Sequence, residues 1–263
     1  MTLDLGPVVS PGAPLARRNP VAKLGAALLF TLPLVVTLDP VTPAIAVVVE
    51  LVALPFFGVR PELLARRLWP LLIAAFGVLV SMLLFAADRG GDLLFAAGPL
   101  EVTTGVLASA AGLILRIFAV ALPGVVVFLT TDPTDLADAL VQNARAPERF
   151  AVGALAAFRL LPLLGQEWRM LTLARRARGI NTGRSPAVFV STAFALLVGA
   201  LRRGVRLAVA MDARGFDSGV PRTHARVQRF TGADLALLVT PGVLSALILT
   251  STIVLGWFRP IIG

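Results

Sequence analysis

The sequence predicts an all-α integral membrane protein, with about five transmembrane helices and a cytoplasmic domain of long amphipathic helices. Three observations predict it. Of the 263 residues, 57% are hydrophobic and only 15% charged, with a mean hydropathy of +0.87, which leaves too little polar surface for a soluble domain. The apolar residues come in runs of about 20, the length a helix needs to cross the hydrocarbon core. The excess positive charge, +9 in all, gathers in one block of the chain.

Residues 1–20, MTLDLGPVVSPGAPLARRNP, carry three prolines before position 20 and lack the charged-then-apolar pattern of a cleavable signal peptide. A cytoplasmic segment is expected there, with the first span retained as an anchor. Residues 21–130 are expected to hold four spans, at 21–38, 41–58, 69–87 and 104–130, and residues 236–263 a last one, at 236–258. Lysine and arginine favour the cytoplasmic side. Arg17, Arg18 and Lys23 therefore place the N-terminus inside, Asp39 marks an outer link, and Arg60, Arg66 and Arg67 an inner one. Asp88, Asp92 and Glu101 against Arg89 place residues 88–103 outside, so the fourth span returns the chain to the cytoplasm.

The block 131–235 holds 15 of the 24 lysines and arginines, all of them Arg, against eight acids, a net +7. Its start, TTDPTDLADALVQ, reads as a helix with Thr131 or Asp132 as cap, Pro133 in the first turn, and Leu136, Leu140 and Asn143 along one face. Apolar stretches at 150–165 and 186–201 are interrupted or flanked by Arg159, Pro162, Arg184, Arg202 and Arg203. Zero or two crossings are expected here, because a single one would separate two similar arginine motifs across the membrane. The block reads as helices lying along or just below the bilayer. Leu155, Phe158, Leu161 and Leu164 offer an apolar face, for a membrane partner or for internal packing.

Those motifs are Ala177-Arg178-Gly179, in QEWRMLTLARRARG, and Ala213-Arg214-Gly215, in RRGVRLAVAMDARG. In each, arginines crowd the end of a helical pattern and a glycine follows, as at a helix C-terminus with cations at its negative pole. Capping and the positive-inside rule account for either alone. Two identical endings 36 residues apart also fit a docking role, since an arginine held at a helix tip can offer an acidic groove up to five hydrogen-bond donors.

The paired triplets, the second within AMDARGFDSGVPRT, closely resemble the two coupling motifs of the transmembrane T component of energy-coupling factor transporters, the family that includes the cobalt-transport Q-type permeases. RNPVAKL at 18–24 resembles that family's N-terminal Asp-Pro-Arg-x-Lys-Leu motif, with Asn19 for Asp and Val21 for Arg, and TTDPTDLADAL resembles its Thr-x-Pro-x-Asp-Leu helix start. The resemblance covers nearly the whole chain. It implies a coupling domain over 131–235, and a four-part importer of a vitamin or transition-metal ion in a prokaryotic cytoplasmic membrane. Two ATP-binding-cassette ATPases would dock through Arg178 and Arg214, one each, and a membrane substrate-binding S component would capture the substrate. Ala177, Gly179, Ala213 and Gly215 would hold the two arginines, and ATP, the only cofactor implied, would be bound by the partners.

The residues agree on the absence of catalysis, having no phosphate-binding Gly-x-x-x-x-Gly-Lys-Ser/Thr loop, no Gly-x-Ser-x-Gly elbow and no His-Glu-x-x-His zinc helix. With no cysteine and His224 as the only histidine, redox and zinc chemistry are excluded, and no nucleic-acid partner is expected. A lipid-phosphate enzyme would need a base or metal site that Asp212, Asp217 and His224 are too few to build. A conventional permease half would normally show one coupling loop, not two. Glu50 and Arg116 lie within apolar spans, where a charge costs about 2.5–3.5 kcal/mol. They are expected to form an intramembrane ion pair between the second and fourth spans, with Ala108 and Gly112 permitting close approach. The alternative, an ion path through Glu50, belongs to a stand-alone secondary transporter driven by an ion gradient; the repeated halves such a protein often shows are not evident.

Overall fold

The structure, a computed structural model, describes residues 13–37, 39–59, 61–85, 90–97, 100–179, 185–216, 218, 223–224 and 226–257. Residues 1–12 and the charges expected at Arg60, Asp88, Arg89, Arg184 and Asp217 lie outside the described residues, as do residues 219–222 of the second motif. The described residues up to Arg145 and from Gln228 onward form one compact unit, and those from Ala146 to Val227 form another.

The first unit is a helical bundle that includes two of the four helices long and apolar enough to cross a membrane. Its apolar runs become α1 (Pro20–Val35), α2 (Val41–Ala53) continued by a 3-10 turn (Leu54–Phe57), α4 (Trp69–Phe85), α5 (Thr104–Thr130) and α9 (Gly232–Val254). Each start has a local cause. Pro20 follows the cap residue Asn19, whose Oδ1 accepts from Val21 N at 2.9 Å, and Thr103 Oγ1 accepts from Val106 N at 3.3 Å to open α5. A capping box between Thr231 and Asp234 starts α9 at Gly232, four residues before the expected span.

Glycines let α1 and α9 pack closely: a Cβ on Gly25 would run into Leu238 Cδ1, and one on Gly242 would meet Leu29 Cβ at 3.3 Å. The core forms where α1, α2, α5 and α9 meet, around Phe30, Leu34, Ala46, Ala119 and Ile248. Many large apolar side chains point outward, among them Leu32, Phe76, Phe128 and Val254, as a lipid-facing surface requires.

Two short features were not anticipated. The link expected inside folds into α3 (Pro61–Arg67), and the link expected outside into an antiparallel hairpin, β1 (Leu93–Ala97) with β2 (Leu100–Thr103). Next, α6 (Pro133–Gln142) is capped by Asp132, whose Oδ1 accepts from Thr134 N at 2.7 Å. Its buried residue is Ala139, with Leu136 and Leu140 only half-buried.

The second unit holds two long helices, α7 (Glu148–Ala177) and α8 (Pro186–Ala213). Both run on past the residues that interrupt or flank their apolar stretches, since Arg159 and Pro162 lie inside α7, and Arg202, Arg203 and Arg206 inside α8. Length and composition alone would let both cross a membrane, as they would α5 and α9. The expectation of zero or two crossings needs correcting at this point. Only α8 lies between Gly179 and Arg214, and residues 180–184 are too few to cross. Two crossings between the triplets are thus excluded, and the triplets share a side only if α8 does not cross.

Candidate coupling site

The two triplets end their helices in nearly the same way. Arg178 has φ −88° and ψ 9°, Arg214 has φ −91° and ψ 9°, and the glycines that follow have φ +73° and +74°. At the second end, Gly215 N donates to Asp212 O at 2.8 Å and Phe216 N to Met211 O at 3.1 Å, the paired bonds of a Schellman cap. At the first end, Gly179 N donates to Arg176 O at 3.0 Å, the equivalent of the first of those bonds. A left-handed backbone follows from this pattern, so glycine is the residue both positions favour. Ala177, Arg178, Gly179, Ala213, Arg214 and Gly215 are all exposed, and neither Arg178 nor Arg214 is bonded through its side chain to another described residue.

Contacts along α7 and α8 make them antiparallel. Arg175 Nη1 donates to Val188 O at 3.3 Å, the Trp168 and Phe189 rings lie 5.2 Å apart, and Glu167 pairs with Arg203. Further along, Gly153, Ala156 and Leu160 of α7 line a cavity with Gly204, Ala208 and Met211 of α8. Arg178 therefore caps one end of the pair and Arg214 the other. With 28 residues in α8, the two tips are about 42 Å apart. Of the apolar face on α7, Leu161 is exposed while Leu155, Phe158 and Leu164 are half-buried.

The first unit contains a polar cluster that sequence reasoning missed. Asn19, 4% exposed, is bonded on every side. Its backbone N donates to Asp234 Oδ1 at 3.0 Å, and its Nδ2 donates to Asn143 Oδ1 at 3.0 Å and Arg229 O at 3.4 Å. Asn143 Nδ2 donates to Gln228 O at 3.3 Å, while Gln228 N donates to Gln142 Oε1 at 2.8 Å. Because Val21 N can only donate and Gln228 O can only accept, the orientation of both asparagine amides between them is fixed. Beside this cluster, Lys23 Nζ, 2% exposed, donates to Thr130 O at 2.8 Å and Thr131 Oγ1 at 3.4 Å, with Asp135 and Asp234 in electrostatic reach. RNPVAKL and TTDPTDL are thus locked together. Their motif resemblance was the available signal, but nothing in it pointed to Asn143 or Gln228.

The expected Glu50–Arg116 ion pair is not made. Both Glu50 carboxylate oxygens and Arg116 Nε are buried without a hydrogen-bond partner. The cause is register. Gly112 of α5 faces Pro40 at the start of α2, a Cβ there meeting Pro40 Cβ at 3.2 Å, and Ala119 packs with Ala46. That offset puts Arg116 level with residue 44, about 9 Å along the axis from Glu50. Arg116 feels the field of Asp39 instead. Glu50 lines an apolar cavity of about 270 Å³ between α1, α2, α5 and α9, together with Lys23, Phe30, Leu122 and Leu244.

A predominantly helical, multi-pass membrane protein, with an exposed arginine at each of two similarly capped helix ends, is the class these features define. Residues 12–225 match CbiQ, the cobalt transport protein family, and the chain belongs to that family as a T component of the energy-coupling factor type. Among its relatives, the energy-coupling factor transporter transmembrane protein EcfT of Listeria innocua is 32% identical over 186 residues, 65% of this chain and 69% of that one. EcfT of Bacillus subtilis is 30% identical over 214 residues, covering 76% and 78%. A putative ABC transporter ATP-binding protein of Bifidobacterium longum is 29% identical over 209 residues, 74% of this chain and 26% of that protein.

Proposed function

We propose that this chain is the non-catalytic scaffold and coupling subunit of an ATP-driven importer for a vitamin or transition-metal ion. Two ATP-binding-cassette ATPases, which bind the ATP, dock on Arg178 and Arg214, and a membrane S component captures the substrate. The observation that carries this reading is the pair of matching caps at opposite ends of an antiparallel helix pair, each presenting an exposed arginine. Tips about 42 Å apart suit two separate docking grooves rather than one. Since the tips work from one side only if α8 does not cross, α7 and α8 lie along or below the cytoplasmic face of a prokaryotic membrane. The same reading places the N-terminus inside, in keeping with Arg17, Arg18 and Lys23. Ala177 and Ala213 keep the approach to each arginine open, and Gly179 and Gly215 turn the chain away from it.

Co-purification of the tagged chain from membranes tests the reading, comparing wild type with Arg178→Glu, Arg214→Glu and both together. A charged hydrogen bond contributes about 1.5–3 kcal/mol, so each single change is expected to weaken ATPase retention about tenfold or more, and the double change to abolish it. Retention of the ATPases by the double variant contradicts the proposal. The unpartnered Glu50 carboxylate is the one observation favouring a stand-alone ion-driven transporter. That reading requires uptake into liposomes by this chain alone under an ion gradient, abolished by Glu50→Gln.

A further inference from the structure

The chain leaves the first unit after Arg145 and returns to it at Gln228, the residue that follows the arm carrying both arginines. Those two points are joined. Gln142 and Asn143, consecutive residues at the end of α6, grip the Gln228 backbone from both sides, one accepting from its N–H and the other donating to its C=O. Arg145 beside them has φ +54°, a left-handed backbone rarely taken by residues other than glycine, so the exit from the clasp is bent at a local cost. Behind the clasp, Asn19 holds Asn143, the Arg229 carbonyl and Asp234 at once, which ties it to the first turns of α1 and α9.

We propose that Gln142, Asn143 and Asn19 are positioning residues: they moor the returning segment so that displacement of α8 is delivered to α1 and α9. This rests on the coupling function proposed above. Gripping Gln228 on both backbone groups sends a load arriving along the returning chain into α6 and, through Asn19, into α1 and α9. Asn19 stands where the family motif has aspartate, and its Nδ2 is the group that reaches Asn143 and Arg229 O. A carboxylate at that position has no such donor.

Two isosteric variants of equal charge separate this role from simple stabilisation. Asn143→Asp replaces the donor to Gln228 O with an acceptor, while Gln142→Glu retains the acceptor for Gln228 N. Each is assembled with the ATPases, and hydrogen exchange is measured in the ATP-bound and nucleotide-free complexes over 19–23 and 231–235. Wild type and Gln142→Glu are expected to show a nucleotide-dependent difference at both sites. Asn143→Asp is expected to keep the difference in α8 and lose it at both sites. A merely structural role would raise exchange equally in both nucleotide states and leave the difference intact, which would overturn the proposal. If wild type binds no ATPase, the coupling reading itself fails, and this one with it. If wild type binds the ATPases but shows no difference at α1 and α9, only the mooring fails.

Discussion

Gly215→Val probes how far the arginine tip depends on its cap. The glycine sits at φ +74°, and among the described residues a Cβ there would meet Ser218 Cβ and Oγ at 3.7 Å, ordinary contact. The penalty is thus conformational rather than steric, about 1–2 kcal/mol for an L-residue in the left-handed region and toward the upper end for a β-branched one. Relief comes by releasing the cap, which forfeits the Gly215–Asp212 and Phe216–Met211 bonds and frays the last turn carrying Arg214. If docking requires the capped form, that energy is subtracted from binding, and ATPase affinity falls about 5–30-fold. Gly215→Asn, which visits this region more readily, should lose less, and Gly179→Ala should act like Gly215→Ala because no atom of the described residues lies within 4 Å of a Cβ on Gly179. The assay is titration of the purified chain with the ATPase pair. Unchanged affinity for Gly215→Val would refute the reasoning, since the tip would then bind without its cap.

Two further outcomes concern the first unit. Asp234→Ala removes the capping box of α9 and strands the buried Asn19 N–H, so a loss of about 2–4 kcal/mol is expected in denaturant unfolding in detergent, from about 1 kcal/mol for a cap and 1–3 for an unsatisfied buried donor. A loss within 0.5 kcal/mol, about the scatter of neutral surface changes, would show that the network is dispensable. Glu50→Gln removes a carboxylate without a partner, so its thermal unfolding should be unchanged or later than wild type; clear destabilisation would reveal an interaction absent from this conformation.

Local rules made much of this architecture readable. Hydropathy located α5 at 104–130, and Asp132-Pro133 marked the start of α6, because spans and caps are written in adjacent residues. The two ARG endings were readable for the same reason. The Thr231…Asp234 box was equally local and was overlooked, which moved the start of α9. Glu50 and Arg116 misled because depth was counted from the middle of each run, whereas the contact of Gly112 with Pro40 sets the register of α2 against α5. The clasp lay beyond reach of pattern reading: Asn19 and Asn143 are 124 residues apart, and Asn143 and Gln228 are 85 apart. Such bonds are decided by packing alone.

The central claim is that both helix tips touch ATPases from one side of the membrane. Because the chain has no cysteine, Ala177→Cys and Ala213→Cys each create a unique thiol beside its arginine. The direct measurement is cross-linking from each thiol in assembled complexes, with thiol labelling from the cytoplasmic side of sealed vesicles. The account predicts an ATPase adduct from both positions and cytoplasmic access to both. An adduct from only one, or the two thiols labelled from opposite sides, would contradict it.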